Sequence, residues 1–363
     1  MTKVIPQMEP WFNYQEAEAV YKYMKTGGWV TEFKKTRELE EAICKYTKAK
    51  YALMTNNGTV SLILSLLALK LAPNDEVLAP NLTMIATPNA AVILGLKPVL
   101  VDVEPSTLCL DLVKAKEALT FRTKAMIYVP FNGRSGNMKK VLEFCRDNHL
   151  FLIEDAAQAL GSFWEGKHLG TFGDLGSFSF SVPKIITTGQ GGAIITNRKK
   201  LFNRLKLLKD FGRRNDGNDI HDFWGWNFKF TDLQAVIGIE QMKKLPLRVK
   251  RKKEIFAIYK DLLSGVKEIE FIKTDLTATT PWFIDIFVPD PDKLSKYLER
   301  QNIGSRRIYP AVSSQKIYKK NCRQKNFPVS KSYAKRGLWL PSSSKLKDQD
   351  IKKVARAIRK YYS

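Results

Sequence analysis

Seven short apolar or β-branched runs, the early ones separated by stretches of helical period, constrain this chain more than any other feature. They occupy residues 51–54, 76–79, 99–102, 125–129, 151–154, 177–181 and 193–196. Helical patterns lie between them at 60–71, 85–94 and 138–148. Strands that alternate with helices of that length imply right-handed crossovers and a mostly parallel sheet. About a dozen residues without a helical pattern separate the last two runs, so one of the two is a candidate to run antiparallel. A second block opens near "KKLPLRVKRKKEIFAIYKDLL", read as a long amphipathic helix entered at Pro246. The expected fold class is α/β, with a large domain over residues 1–240 and a small α+β domain over 241–363. A chain of 363 residues, 44% of them hydrophobic, can bury both cores.

Several classes of function fall away on composition. No apolar run approaches the ~20 residues of a membrane span, and "MTKVIPQMEP" lacks the apolar stretch of a secretory leader. Cys44, Cys109, Cys145 and Cys322 stand far apart with no CxxC, as expected of free thiols in a reducing compartment, and a cytosolic protein is expected. The formal charge of +24 is spread along the chain without an RNP, zinc-finger or basic-zipper pattern, so no nucleic-acid partner is expected. A basic surface also suits an acidic small substrate. His149, His168 and His221 have no metal-ligand spacing, and no metal is expected.

In an open parallel sheet, ligands lie at the carboxyl ends of the strands. After the first run, Asn57, Gly58 and Thr59 open a helix; that terminus suits a phosphate, and equally an ordinary helix cap. After the fifth, Asp155 ends the strand, and Gln158 follows one helical turn later in "EDAAQALGS". Asp155 is either a cap or the partner of a protonated ring nitrogen. After the sixth come Ser179 and then Lys184, set in apolar sequence before a Gly-Gln-Gly-Gly turn. A buried lysine amine, with its pKa lowered, forms a Schiff base with a carbonyl. Neither GxGxxG nor GxxxxGK[ST] occurs, so nucleotide loops of those kinds are absent. Phosphate cradle, anion and amine, in this order along an α/β chain, are the parts of pyridoxal phosphate chemistry.

The stretch "IEDAAQALGSFWEGKHLGTFGDLGSFSFSVPKIITTGQGGAIIT" resembles the signature of the nucleotide-sugar aminotransferases, the DegT/StrS-type branch of fold-type-I pyridoxal phosphate enzymes. The resemblance extends through "NNGTVSLILSLLAL", "GWNFKFTDLQAVIGIEQMKKL" and "FPVSKSYAKRGLWLPSS", covering nearly the whole chain. "LTMIATPNA" and "GWNFKFTDLQA" are similar to enzymes that aminate C4 of 4-keto-6-deoxyhexoses, the perosamine synthases among them. The resemblance implies an aspartate-aminotransferase-like fold with a seven-stranded sheet and pyridoxal 5'-phosphate as cofactor. It implies Lys184 as the lysine that bonds the cofactor and moves the proton. It also implies Asp155 at the pyridine nitrogen, Gln158 at the ring hydroxyl, and Gly58, Thr59 and Ser179 at the phosphate. Asn227 would reach the phosphate of a neighbouring subunit, making a homodimer with shared sites. A nucleotide-linked keto-sugar and L-glutamate are the implied substrates.

Three positions depart from the family pattern. Gln190 replaces the usual Glu of the glycine turn, and Met84 stands where an aromatic often stacks on the cofactor. "PFNGR" (130–134) replaces a His-x-Tyr-Gly loop, so that loop's substrate contacts do not transfer to Asn132. A 3-aminotransferase, a sugar dehydratase and a non-catalytic regulator are the alternatives on the same fold. Dehydratases carry histidine in place of Lys184, and a regulator has no need of Asp155, Ser179 and Lys184 together.

Overall fold

The computed structural model describes residues 4–214, 219–319 and 326–363. In chain order the strands are β1 (Tyr51–Thr55), β2 (Glu76–Pro80), β3 (Lys97–Val101), β4 (Thr123–Tyr128) and β5 (Phe151–Asp155). A two-stranded hairpin follows, β6 (Phe163–Trp164) with β7 (Lys167–His168), and then β8 (Leu175–Ser179) and β9 (Gly192–Thr196). The main sheet has seven strands in the order β1-β9-β8-β5-β4-β2-β3, matching the seven runs in the sequence. Every pairing is parallel except those of β9, which lies antiparallel between β1 and β8. β1, β8 and β5 therefore still point the same way, and their carboxyl ends share one edge.

The sheet is covered on both faces, which is why its strands read as continuous apolar runs. Leu53, Val77, Ile127, Ile153 and Ile194 pack on one side against Leu62 and Leu66 of the Gly58–Leu69 helix. On the other side Met54, Leu78, Met126 and Phe178 join a cluster that continues to Trp282, Phe283 and Trp339. The last two belong with a second, antiparallel sheet: β10 (Ile284–Phe287), β11 (Arg306–Arg307) and β12 (Gly337–Leu340), in the order β10-β12-β11. Its outer face buries Ile284, Ile286, Leu338 and Leu340 under helices carrying Leu294, Ile351 and Val354.

The long helix begins earlier than the sequence suggests. It runs over Asp232–Leu262, and Pro246 lies within it, not at its entrance. Thr231 caps it by accepting from the Gln234 amide, and the Asp232 carboxylate gathers the amides of Phe33, Lys35 and Thr36 at 2.8–2.9 Å. These tertiary bonds fix the start and outweigh the one backbone bond that Pro246 cannot donate. The helix passes unbroken through position 240. Cys44, Cys109 and Cys145 are free thiols, and Cys322 lies outside the described residues. Among the described residues no helix is long and apolar enough to cross a membrane.

The two sheets are tied by a buried ion pair. Arg134 Nη1 and Nη2 donate to the Asp285 carboxylate at 3.1 and 2.5 Å, and both side chains are all but fully buried. Removing one partner of such a pair strands the other in a dry interior. Asp285→Ala is expected to lower the unfolding free energy by about 3–5 kcal/mol, measured in urea, and Arg134→Met/Asp285→Leu to recover most of that loss.

Candidate active site

Packing at the carboxyl edge is set by two glycines. A Cβ on Gly192 would strike the carbonyl of Asn57 and stand 2.6 Å from Thr55 Oγ1, so a side chain there would push the Asn57 turn off the sheet. A Cβ on Gly58 would stand 2.8 Å from Ser179 Cβ and 3.1 Å from its Oγ. The first turn of the Gly58–Leu69 helix thus lies directly on the end of β8, with Asn57 accepting from the Val60 amide as N-cap. Of the two sequence readings of Asn57-Gly58-Thr59, the cap is observed, and it leaves the start of the helix facing the end of β8. Thr59 is exposed and Ser179 half-buried, its hydroxyl 3.3 Å from that of Ser181. Asn56 Oδ1, beside this turn, is buried with no partner among the described residues.

Asp155 ends β5 beside the Ser177–Ser179 end of β8 and is almost completely buried. Its Oδ2 accepts the Thr87 hydroxyl at 2.7 Å, and its Oδ1 is 3.4 Å from the Ala157 amide. Burial pushes its carboxyl up from the ordinary value, against the Thr87 bond and the Lys184 charge, which pull it down. Lys184 is the opposite case: burial brings its amine down to about 8, opposed by Asp155. Its Nζ makes no hydrogen bond among the described residues and lies 4.0 Å above the centre of the Trp282 ring. Gln158, buried, uses its Oε1 to accept from the Asn132 amide at 2.8 Å.

Gly58, Asp155, Gln158, Ser179 and Lys184 therefore share one edge of the sheet, with Thr59 at its rim. Asn227 does not join them in this subunit. It is exposed, bridged to Asp210, with its Oδ1 3.4 Å from the Lys229 amide. Asn132 is scaffold: its side chain exchanges bonds with Phe283 O and N at 2.8 and 2.7 Å, and it holds φ +55°. Met84 is 45% exposed. Gln190 is exposed as well, and its carbonyl accepts from Thr188 Oγ1 at 2.7 Å and Gln234 Nε2 at 2.8 Å. His168 is structural, its imidazole pushed down to about 4 by burial among Tyr46, Phe163 and Phe178.

Thr87 and Trp282 are absent from the sequence-based set. Thr87 lies within "LTMIATPNA", but nothing local marks its hydroxyl as the partner of a carboxylate 68 residues on. Trp282 carries no sequence signal at all. The donor set fits pyridoxal phosphate: an amine without an acceptor, a buried carboxylate short of a full cation, and a helix start stripped of side chains next to a serine.

The family model described as "DegT/DnrJ/EryC1/StrS aminotransferase family" matches residues 12–359, and the chain belongs to that family. It is an aminotransferase that uses pyridoxal phosphate. The chain is 31% identical to the GDP-perosamine synthase of Escherichia coli O157:H7 over 99% of both chains. It superposes on the aminotransferase TlmJ from Streptoalloteichus hindustanus with TM-score 0.93 at 26% identity, covering 98% of each. Helicobacter pylori PseC, an aminotransferase of pseudoaminic acid biosynthesis, shares the fold at TM-score 0.91 and 23% identity over 99% of each.

The amine of Lys184 makes a stability prediction for the cofactor-free protein. Its pKa is about 8 when folded and near 10.5 when exposed, so between those values the unfolded chain holds a proton that the folded chain lacks. Stability from this group is therefore poorest below pH 8 and recovers as pH rises toward 10.5. Relative to Lys184→Met, the wild type is expected to gain about 1–3 kcal/mol of unfolding free energy as pH rises from 8 toward 10.5. Urea titrations at pH 7 and pH 10 test both the sign and the window.

Proposed function

We propose that this family member transfers an amino group from L-glutamate to C4 of a nucleotide-linked 4-keto-6-deoxyhexose. Residues 1–240 serve as the cofactor-binding domain and 241–363 as the smaller domain over it. The observation that carries the reading is the buried Asp155 carboxylate with the half-buried Lys184 amine at the edge where Gly58 meets Ser179. Bound pyridoxal phosphate supplies an electron-withdrawing ring and an aldehyde carbon that an amine can capture. The amides of Gly58 and Thr59, with the Ser179 hydroxyl, hold its phosphate at the helix start. Asp155 keeps a proton on the ring nitrogen, and Thr87 holds that carboxylate in place. Gln158, whose Oε1 is taken by Asn132, turns its remaining amide protons toward the ring hydroxyl. Lys184 would hold the cofactor through its aldehyde carbon, with water as the leaving group, and its amine, when free, would hold and move a proton at Nζ.

The choice of C4 rests on "LTMIATPNA" and "GWNFKFTDLQA" and on full-length similarity to GDP-perosamine synthases of Escherichia coli O157:H7 and Vibrio cholerae. The surplus of 60 Lys and Arg over 36 Asp and Glu suits a diphosphate. Because both half-reactions reuse one Lys184, initial-rate kinetics in glutamate and keto-sugar are expected to give parallel lines. Incubation with GDP-, UDP- and dTDP-linked 4-keto and 3-keto sugars should yield the 4-amino product, read by NMR. Nitrogen at C3 would move the chain to the 3-amino class, and no aminated sugar from any of them would end the sugar reading.

Asn227 completes the phosphate site of a partner subunit in this reading, making a cytosolic homodimer with shared sites. Its exposure in the single subunit supports that role. Lys184→Ala and Asn227→Asp proteins, each inactive alone, should regain about a quarter of wild-type activity when unfolded together and refolded as a one-to-one mixture, since half of a random population is mixed dimer with one intact site. No recovery in a mixture shown by mass to contain the mixed dimer would rule out sharing.

A further inference from the structure

We infer that Trp282 is a positioning residue for Lys184: its indole face seats the free amine, and its ring N–H fixes the backbone that carries it. The inference rests on the reading of Lys184 as the cofactor lysine. Lys184 Nζ lies 4.0 Å from the ring centre, within the range of a cation–π contact. Trp282 Nε1 donates to the carbonyl of Pro183 at 2.7 Å, gripping the peptide unit that leads into Lys184. The ring cannot swing away. Phe283 stacks beside it at 3.9 Å and 22°, and Trp339 meets it at 5.6 Å and 67°. Only 2% of Trp282 is exposed, so the face is dry and its quadrupole is poorly screened.

The groups around the amine leave this role open to the ring. Asp155, at the end of β5, is the charged group that acts on it. The groups beside Asp155 are hydroxyls: Thr87, and Tyr309 in the loop after β11, held neutral by burial. No acceptor bonds Nζ among the described residues, so the indole offers the close-range stabilisation of the cation. The amine must be free whenever the cofactor itself carries the amino group. A seat in the second-sheet layer then keeps it near Asp155 and out of water.

Fluorinated tryptophans test this with little change of shape and with the N–H donor retained. Mono-, di- and trifluorotryptophan placed at position 282 of the full-length, cofactor-free chain progressively weaken the negative face of the ring. Lys184 is titrated by its labelling with acetic anhydride as a function of pH, read by peptide mass spectrometry. Half-labelling is expected near pH 8 in the wild type. It should fall with each added fluorine, by about one unit over the series. A purely structural tryptophan leaves the series flat, and a flat or rising series overturns the inference. Borohydride reduction of the protein reloaded with pyridoxal phosphate separates the two claims. An adduct on another lysine ends the reading of Lys184 whatever the fluorine series gives, whereas a flat series with the adduct on Lys184 ends only the role of Trp282.

Discussion

Asp155, buried at the end of β5, and Lys184, half-buried beyond the end of β8, are opposite charges that share one edge of the main sheet. Burial drives the carboxyl up and the amine down, and each partly restores the other. A buried ion costs several kcal/mol when uncompensated. One hydrogen bond to a charged group, such as that from Thr87, returns only about 1.5–3 kcal/mol. The hydroxyl alone is therefore insufficient, and the Lys184 charge supplies part of the remainder. In the proposed reading, a protonated pyridine nitrogen would supply more. The neighbouring features serve the same end: an apolar ring under the amine, and two glycines that let a helix start close on β8.

The second sheet takes part in this arrangement. Its first strand is preceded by Trp282 and Phe283, and the loop 131–134 of the main sheet is fastened to that segment. Asn132 bonds both backbone groups of Phe283 while donating its own amide to Gln158. A left-handed φ costs a non-glycine residue roughly 1–2 kcal/mol, which three bonds offset. Arg134 then pairs with Asp285 two residues further along. Lys252, wholly buried with its amine brought down to about 7, reaches Ser342 O at 2.5 Å in the same layer. A change in β10 is thereby felt at Gln158 and Lys184 through two or three contacts.

Much of this was legible in the sequence, for identifiable reasons. All seven strands of the main sheet appear as apolar runs because both faces of the sheet are buried. The short link between β8 and β9 was enough to flag an antiparallel strand. Gly58, Asp155, Ser179 and Lys184 were found because strand ends in a parallel sheet converge whatever lies between them. Local rules failed where tertiary contacts decide. Pro246 looked like a helix start, yet Thr231 and Asp232 set it fourteen or more residues earlier. The substitution at Asn132 looked like a lost substrate contact; its bonds to Phe283, 151 residues away, make it a clamp. Trp282 lies 99 residues from Pro183 in a segment with no motif, so only packing reveals it.

The loops around Asn227 carry the argument beyond one subunit. Residues 29–33 and 227–232 are laced together: Thr31 bridges Thr231, the Asp232 amide donates to Val30 O at 3.1 Å, and the Phe230 amide donates to Glu32 at 2.9 Å. Lys209 anchors this unit to the sheet, pairing with Glu32 at 2.7 Å and donating to Met54 O at 3.2 Å near the end of β1. The unit is thus tied to the sheet, and it and the adjoining residues 223–226 present Trp29, Phe33, Phe223, Trp224 and Trp226 to solvent, Trp224 at 88% exposure. Ordered loops that expose several large aromatics mark an interaction surface better than a solvated one. In the proposed homodimer, a partner that covers these rings would also receive the Asn227 amide, so that apolar burial and completion of the phosphate site would be one event.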